Sequence, residues 1–243
     1  MLTKEGLILK TIPYQEQAKI AFVLTSRGKE SFIIRGASKI KSSNRALSQV
    51  LNLIAFSSTE GKGIPTITES KLLCEYENLK SDYDKMQSVY PILEKLLALS
   101  EQITQTETLY EFAKKILLLM SSSPHHASLR NLFDLKLTYL AGIGPNFLGC
   151  TRCGSTEAEF LSAEDGGVIC RSCKDPSTDV LSHALTELIK VLYLVKTDKV
   201  SDSLLEVYSP FDVEIERWID DYYSRYLGFQ SASKRVLRRM NEG

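Results

Sequence analysis

The sequence predicts an α+β, multidomain fold, on three observations. Short strands with turn signals fill the first eighty residues, the apolar spacing turns helical from Asp82, and four cysteines stand in two close pairs near residues 150–173. In the first part, Gly6 to Ile12 reads as one strand. Lys19 to Thr25 and Glu30 to Arg35 flank the turn Ser26-Arg27-Gly28-Lys29, which is a hairpin signature. Leu51 to Phe56 and Pro65 to Leu72 flank Glu60-Gly61-Lys62-Gly63 as a second hairpin, and Arg35 to Arg45 is a polar, basic loop. Five strands in about seventy-five residues fit a small closed barrel of the OB type, and an SH3-like barrel reads the same way. This barrel is expected over residues 1–79.

An α-helical domain is expected over 80–243. Tyr90, Leu93, Leu96 and Leu97 share one helix face, and Leu109, Phe112, Ile116, Leu119 and Met120 share another. Ser121-Ser122-Ser123-Pro124 interrupts, Leu129 to Leu140 resumes, and Gly142-Ile143-Gly144-Pro145 stops the helix. Further helices are expected at Asp179–Lys196, at about Asp212–Leu227 closed by Gly228, and at Ser231–Met240. Trp218, Tyr222, Tyr223 and Tyr226 form a stripe at helical spacing and read as core.

The cysteines are Cys150-Thr-Arg-Cys153 and Cys170-Arg-Ser-Cys173, with sixteen residues between the pairs. That is ligand spacing for a structural zinc site, and Gly149, Gly154 and Gly166-Gly167 supply the turns. Four thiolates leave no open position, so such a zinc holds a fold and activates no water. Two disulfides or a redox-active CxxC are the other readings. The start Met1-Leu2-Thr3-Lys4 shows no signal peptide, and no βαβ context surrounds the cysteines, so zinc is expected in an insertion at about 146–176. Some thirty residues bury too little apolar area to fold unaided, which is a reason for the metal. Cys74 stands apart and agrees with a reducing, cytoplasmic setting.

Formal net charge is zero over 243 residues, but the distribution is uneven. Residues 1–50 carry nine Lys/Arg against three Glu, and Ser31 to Thr59 contains no acid. Arg27, Arg35, Lys39, Lys41 and Arg45 are therefore expected to take DNA phosphates, with Tyr14 as a base-stacking candidate. Phe22 and Phe32 alternate with Ile and Val and read as barrel core. His125-His126 has no ligand partner at metal spacing. A zinc-dependent nucleobase-modifying enzyme needs His-x-Glu and Pro-Cys-x-x-Cys, and neither occurs; a phosphate-cradling GxxxxGK[ST] is also lacking. No enzyme is expected. A zinc-ribbon scaffold in transcription or translation shares the cysteines and is separated by whether the protein anneals DNA.

Three segments carry a resemblance. They are Gly144-Pro145-Asn146-Phe147-Leu148-Gly149-Cys150-Thr151-Arg152-Cys153-Gly154 with Leu161-Ser162 and Gly166 to Cys173, then Leu9-Lys10-Thr11, Tyr14-Gln15-Glu16 and Arg35-Gly36-Ala37-Ser38-Lys39, and finally Tyr222 to Gly228 followed by Leu237. In these the chain resembles the RecO family of bacterial recombination mediators, in its zinc-bearing form. Ser38 departs from the basic residue many members carry there. The resemblance implies a non-enzymatic protein of DNA repair and recombination with an N-terminal OB domain and a helical, zinc-bearing C-terminal domain. It also implies binding of single- and double-stranded DNA, annealing of strands coated by single-strand-binding protein and, with RecR, assistance in loading RecA. Members bind the acidic tail of single-strand-binding protein through the helical domain. Here Lys234, Arg235 and Arg238 beside Leu237 offer a basic rim for it. The expected location is the cytoplasm, at the nucleoid.

Overall fold

Within residues 4–74 five segments fold as strands, where β-branched and other apolar side chains alternate between turns of Gly, Gln and Ser. The computed structural model describes residues 3–235. Its strands are β1 (Lys4–Tyr14), β2 (Ala18–Thr25), β3 (Gly28–Arg35), β4 (Leu53–Ser58) and β5 (Ile67–Cys74). They form one antiparallel sheet in the order β3-β2-β1-β4-β5. Leu9 is an extra residue in β1, because the β1–β2 register shifts between Ile8 and Lys10. Such a bulge bends a strand and strengthens its twist. β1 thereby pairs with β4 through Lys4–Leu7 and with β2 along nearly its whole length.

The expected closed barrel is open. Its outer strands β3 and β5 meet only at a parallel bridge, Ile33 with Thr66, where the Ile33 N–H donates to the Pro65 carbonyl at 2.8 Å. A partly open five-stranded barrel is the OB-like arrangement. Inside lie Ile8, Ala21, Val23, Phe32, Ile34, Ile54, Phe56 and Ile67, with Phe32 edge-on to Phe56 at 4.9 Å. The basic segment is not wholly a loop. Ser42 caps a short helix, α1 (Ser43–Leu47), whose Asn44 side chain donates to the Arg35 carbonyl at 2.8 Å.

A one-turn helix, α2 (Glu77–Lys80), leads into α3 (Tyr83–Leu99) and α4 (Thr106–Ser122). These two helices pack on the sheet. Lys29 Nζ donates to the Leu97 carbonyl, Thr106 Oγ1 to the Ser26 carbonyl, and Tyr110 and Lys114 both to Glu5. The first compact unit therefore continues past residue 79 to Ser122. On α3 the buried face is Val89, Ile92, Leu93, Leu96 and Leu99, and Tyr90 is exposed, contrary to its expected place on the apolar face.

The second unit begins at Ser123. It holds α5 (His126–Leu140), the hairpin β6 (Ala158–Ser162) and β7 (Gly167–Cys170), α6 (His183–Leu194), α7 (Asp202–Tyr208) and α8 (Asp212–Leu227). Ser182 and Ser201 cap α6 and α7, and Gly228 in the left-handed region ends α8. Its core packs Leu132, Phe133 and Leu137 with Ile189, Leu192, Ile215, Ile219 and Tyr223, and the Tyr223 hydroxyl donates to the Asp134 carbonyl at 2.8 Å. Among the described residues no helix is long and apolar enough to cross a membrane.

Candidate metal centre and nucleic-acid interface

Each CxxC segment closes on itself through the backbone. The Gly154 N–H donates to the Cys150 carbonyl at 2.8 Å, and the N–H groups of Cys173 and Lys174 donate to the Cys170 carbonyl at 3.1 Å. These turns aim all four thiols at one point, with every sulfur within 4.8 Å of the others. The Sγ atoms of Cys153 and Cys170 are 3.7 Å apart. A tetrahedron with Zn–S bonds of about 2.3 Å has edges of about 3.8 Å, whereas a disulfide brings sulfurs to about 2.05 Å. The four cysteines are free thiols and form a possible metal site, and the donor set fits a zinc ion.

Burial raises the pKa of Cys150, but backbone groups of Cys170, Cys153 and Arg152 outweigh it and bring the thiol down to about 6. Cys173 is instead pushed up to about 12, first by its hydrogen bond with Cys153. The Cys150 thiol is thus shifted towards the thiolate, the form that binds a metal. A cation is the natural counter-charge for such a cluster.

The module that carries these thiols is held by a residue no spacing rule singles out. Arg152 binds Asp165 through two nitrogens, at 2.7 and 3.1 Å, and donates to the Cys173 carbonyl at 2.8 Å. It therefore ties the first cysteine turn to the second. Asp165 is held below its ordinary carboxylate range chiefly by this arginine. Asn146 adds a third strand fragment beside β7, since its N–H donates to the Gly166 carbonyl and its carbonyl accepts from Val168 N–H, both at 2.9 Å. A Cβ on Gly167 would sit 2.4 Å from the Asn146 carbonyl oxygen, so only glycine allows this approach.

In the first unit the basic residues fall into two groups. Arg35 and Lys39, with Gln15, Glu16, Gln17, Ala18 and Gly36, line a groove of about 660 Å³ at the β1–β2 turn. Lys41 and Arg45 are exposed on the adjoining segment and α1. Tyr14 is half-buried at the same end of the sheet, paired with Ala18, which pairs with Arg35. Arg27 stands apart in the β2–β3 turn, roughly 25 Å away along β3 at about 3.3 Å per residue. Phe32 is core, but Phe22 is not. It lies between the buried Ala21 and Val23 of β2 and so points to the opposite face of the sheet.

Lys234 is not a free cation. It is 7% exposed and binds Glu216 at 2.9 Å and Asp220 at 2.7 Å, both on α8. Arg235 is exposed, and Leu237 and Arg238 lie outside the described residues, as does most of the expected helix Ser231–Met240. Trp218, Tyr222 and Tyr223 are buried as the stripe predicted, whereas Tyr226 is partly exposed and donates to the Glu164 carbonyl at 3.1 Å.

Comparison with known proteins matches the chain in two parts. Residues 1–76 match the family described as Recombination protein O N terminal, and residues 80–235 match Recombination protein O C terminal. A DNA repair protein RecO of Listeria innocua is 25% identical over 242 residues, covering 98% of this chain and 94% of the relative. One of Halalkalibacterium halodurans is 24% identical over 240 residues, covering 97% and 94%. A third, from Exiguobacterium, is 25% identical over 238 residues, again covering 97% and 94%. With matches spanning both units in order, the chain belongs to the RecO family of DNA repair proteins.

Proposed function

We propose that this chain is a recombination mediator that binds DNA along the cationic end of its OB-like sheet. The observation that carries it is the grouping of Arg35 and Lys39 in one groove, with Lys41 and Arg45 exposed beside it and no acid between Ser31 and Thr59. Phosphates recognise such a surface by charge and counterion release, so single and double strands both bind there. Arg27 belongs to this surface only if the strand runs the length of β3. The family supplies the rest of the proposal: annealing of strands coated by single-strand-binding protein, and assistance to RecA loading with RecR. The reading is of a cytoplasmic protein that acts at the nucleoid and carries out no chemical step.

The four thiols take one zinc ion, which holds the β6–β7 module and performs no reaction. For the acidic tail of single-strand-binding protein, Arg235 with Arg238 and Leu237 remain the residues to test, because Lys234 is neutralised by Glu216 and Asp220. A labelled tail peptide titrated against wild type and an Arg235→Glu/Arg238→Glu variant decides that site; unchanged affinity places it elsewhere. The function as a whole is tested by strand annealing with and without single-strand-binding protein. Acceleration of annealing on coated strands is expected, and none at any salt concentration contradicts the reading.

A further inference from the structure

The segment between β3 and α1 carries an isoleucine that the fold keeps outside. Ile40 is 83% exposed, the most exposed large apolar side chain among the described residues of the first unit. This exposure is built in, because the chain on both sides is tied down. Ala37 is buried in the core of the sheet, the Ser38 N–H donates to the Gln17 carbonyl at 3.4 Å, and the Asn44 side chain holds the Arg35 carbonyl. Between these anchors two turns follow each other. The Lys39 N–H donates to the Gly36 carbonyl at 3.0 Å, and the Ser42 N–H to the Lys39 carbonyl at 3.2 Å. Ile40 and Lys41 are the central residues of the second turn and form its tip.

Turn tips favour Gly, Pro, Asn, Asp and Ser, and isoleucine offers none of their turn chemistry. A single exposed apolar residue on a neutral surface needs no explanation. This one stands between Lys39 and Lys41, in a stretch free of acids from Ser31 to Thr59, and Lys39 lines the same groove as Arg35. A phosphate backbone held by these cations brings the apolar tip against the bases between them. Isoleucine is among the side chains that enter a base step as a wedge, partly unstacking it and kinking the duplex.

Resting on the DNA-binding reading above, we propose that Ile40 enters one base step of a bound duplex from the minor groove, while Lys39 and Lys41 take the phosphates beside it. The cations set affinity and its salt dependence. Ile40 sets which duplex is held best. Opening a step costs stacking and pairing free energy, and costs least where a mismatch has already weakened it. The wedge therefore prefers mismatched to matched duplex through deformability alone, with no contact to a base edge.

The test uses a duplex carrying 2-aminopurine, a base whose fluorescence rises on unstacking, in a matched and a mismatched form. Ile40→Ala removes the wedge and leaves every cation in place. Wild type is expected to raise the fluorescence and to bind the mismatched duplex several-fold more tightly than the matched one. Ile40→Ala should raise no fluorescence and bind the two alike. Its affinity for the mismatched duplex should fall roughly two- to fiftyfold, the range for losing the burial of up to about three carbons, with the salt slope kept. An Arg35→Glu/Lys39→Glu variant separates the two readings. If it binds duplex weakly while Ile40→Ala matches wild type in fluorescence and preference, the wedge is wrong and the cationic surface stands. If neither variant differs from wild type, the DNA surface itself lies elsewhere and the wedge falls with it. Should Ile40→Ala melt early, wild type alone decides: no fluorescence rise at saturating protein overturns the inference.

Discussion

Arg152 shows what a single residue does that the motif around it does not reveal. The cysteine spacing points to four candidate ligands, but a middle position of CxxC carries no ligand atom, and Asp165 is thirteen residues away. Only the folded hairpin brings them together. Removing the arginine leaves the four thiols in place but frees the second cysteine turn from the first. Arg152→Ala is therefore expected to hold zinc about 10- to 100-fold more weakly against a competing chelator, the range for residues that orient metal ligands. A wild-type chelation curve would contradict this role. The same pair predicts a pH dependence. The Asp165 carboxyl is lowered in the folded state, chiefly by Arg152, so its contribution is fully present above the ordinary carboxylate range. It is lost as pH falls through the lowered value. In Asp165→Asn the acid limb of stability should flatten, and an acid limb unchanged from wild type would show that the pair contributes nothing.

At the scale of elements, strands and long helices were legible in order, because their side-chain periods are set by which face is buried. What failed has definite causes. Phe22 reads as core because Ile20 to Leu24 is apolar on both faces, so a two-residue period cannot say which face points in. Helix α1 hides in a polar stretch with no buried residue, and its only sequence signal is the Ser42 cap. Helix α7 is seven residues long, too short for a helical period to stand out. Tyr90 fell on the expected apolar face, but the buried face of α3 is turned towards Val89 and Ile92. The glycines of the hairpin, by contrast, were legible as turns and have a further use as space for Asn146. Gly167→Ala places a Cβ against the Asn146 backbone, which cannot withdraw as a side-chain end does. A loss of about 1–3 kcal/mol in denaturant unfolding is expected for the second unit, as for other overpacked sites. A change below a few tenths would mean the Asn146 strand is not needed.

At the scale of the whole molecule, the chain divides into two units, and the four-thiol cluster and the cationic groove lie in different ones. The contact boundary lies at Ser122, later than the strand-to-helix switch in the sequence, because α3 and α4 pack back on the sheet through Lys29, Thr106, Tyr110 and Lys114. Helical periodicity reports the start of helices and not the unit they join. Zinc removal should therefore loosen the second unit, seen as an earlier melting transition, and leave DNA affinity of the first largely intact. Loss of DNA binding on chelation would place DNA contact on the zinc module. The most direct measurement is the salt dependence of single-strand binding by wild type and an Arg35→Glu/Lys39→Glu/Lys41→Glu variant. If each cation neutralises one phosphate, the slope of log K against log salt should fall by about 2, at about 0.7 per phosphate, with affinity lost mainly at low salt. Equal slopes and equal affinities in the two proteins would contradict a DNA surface on the OB-like sheet.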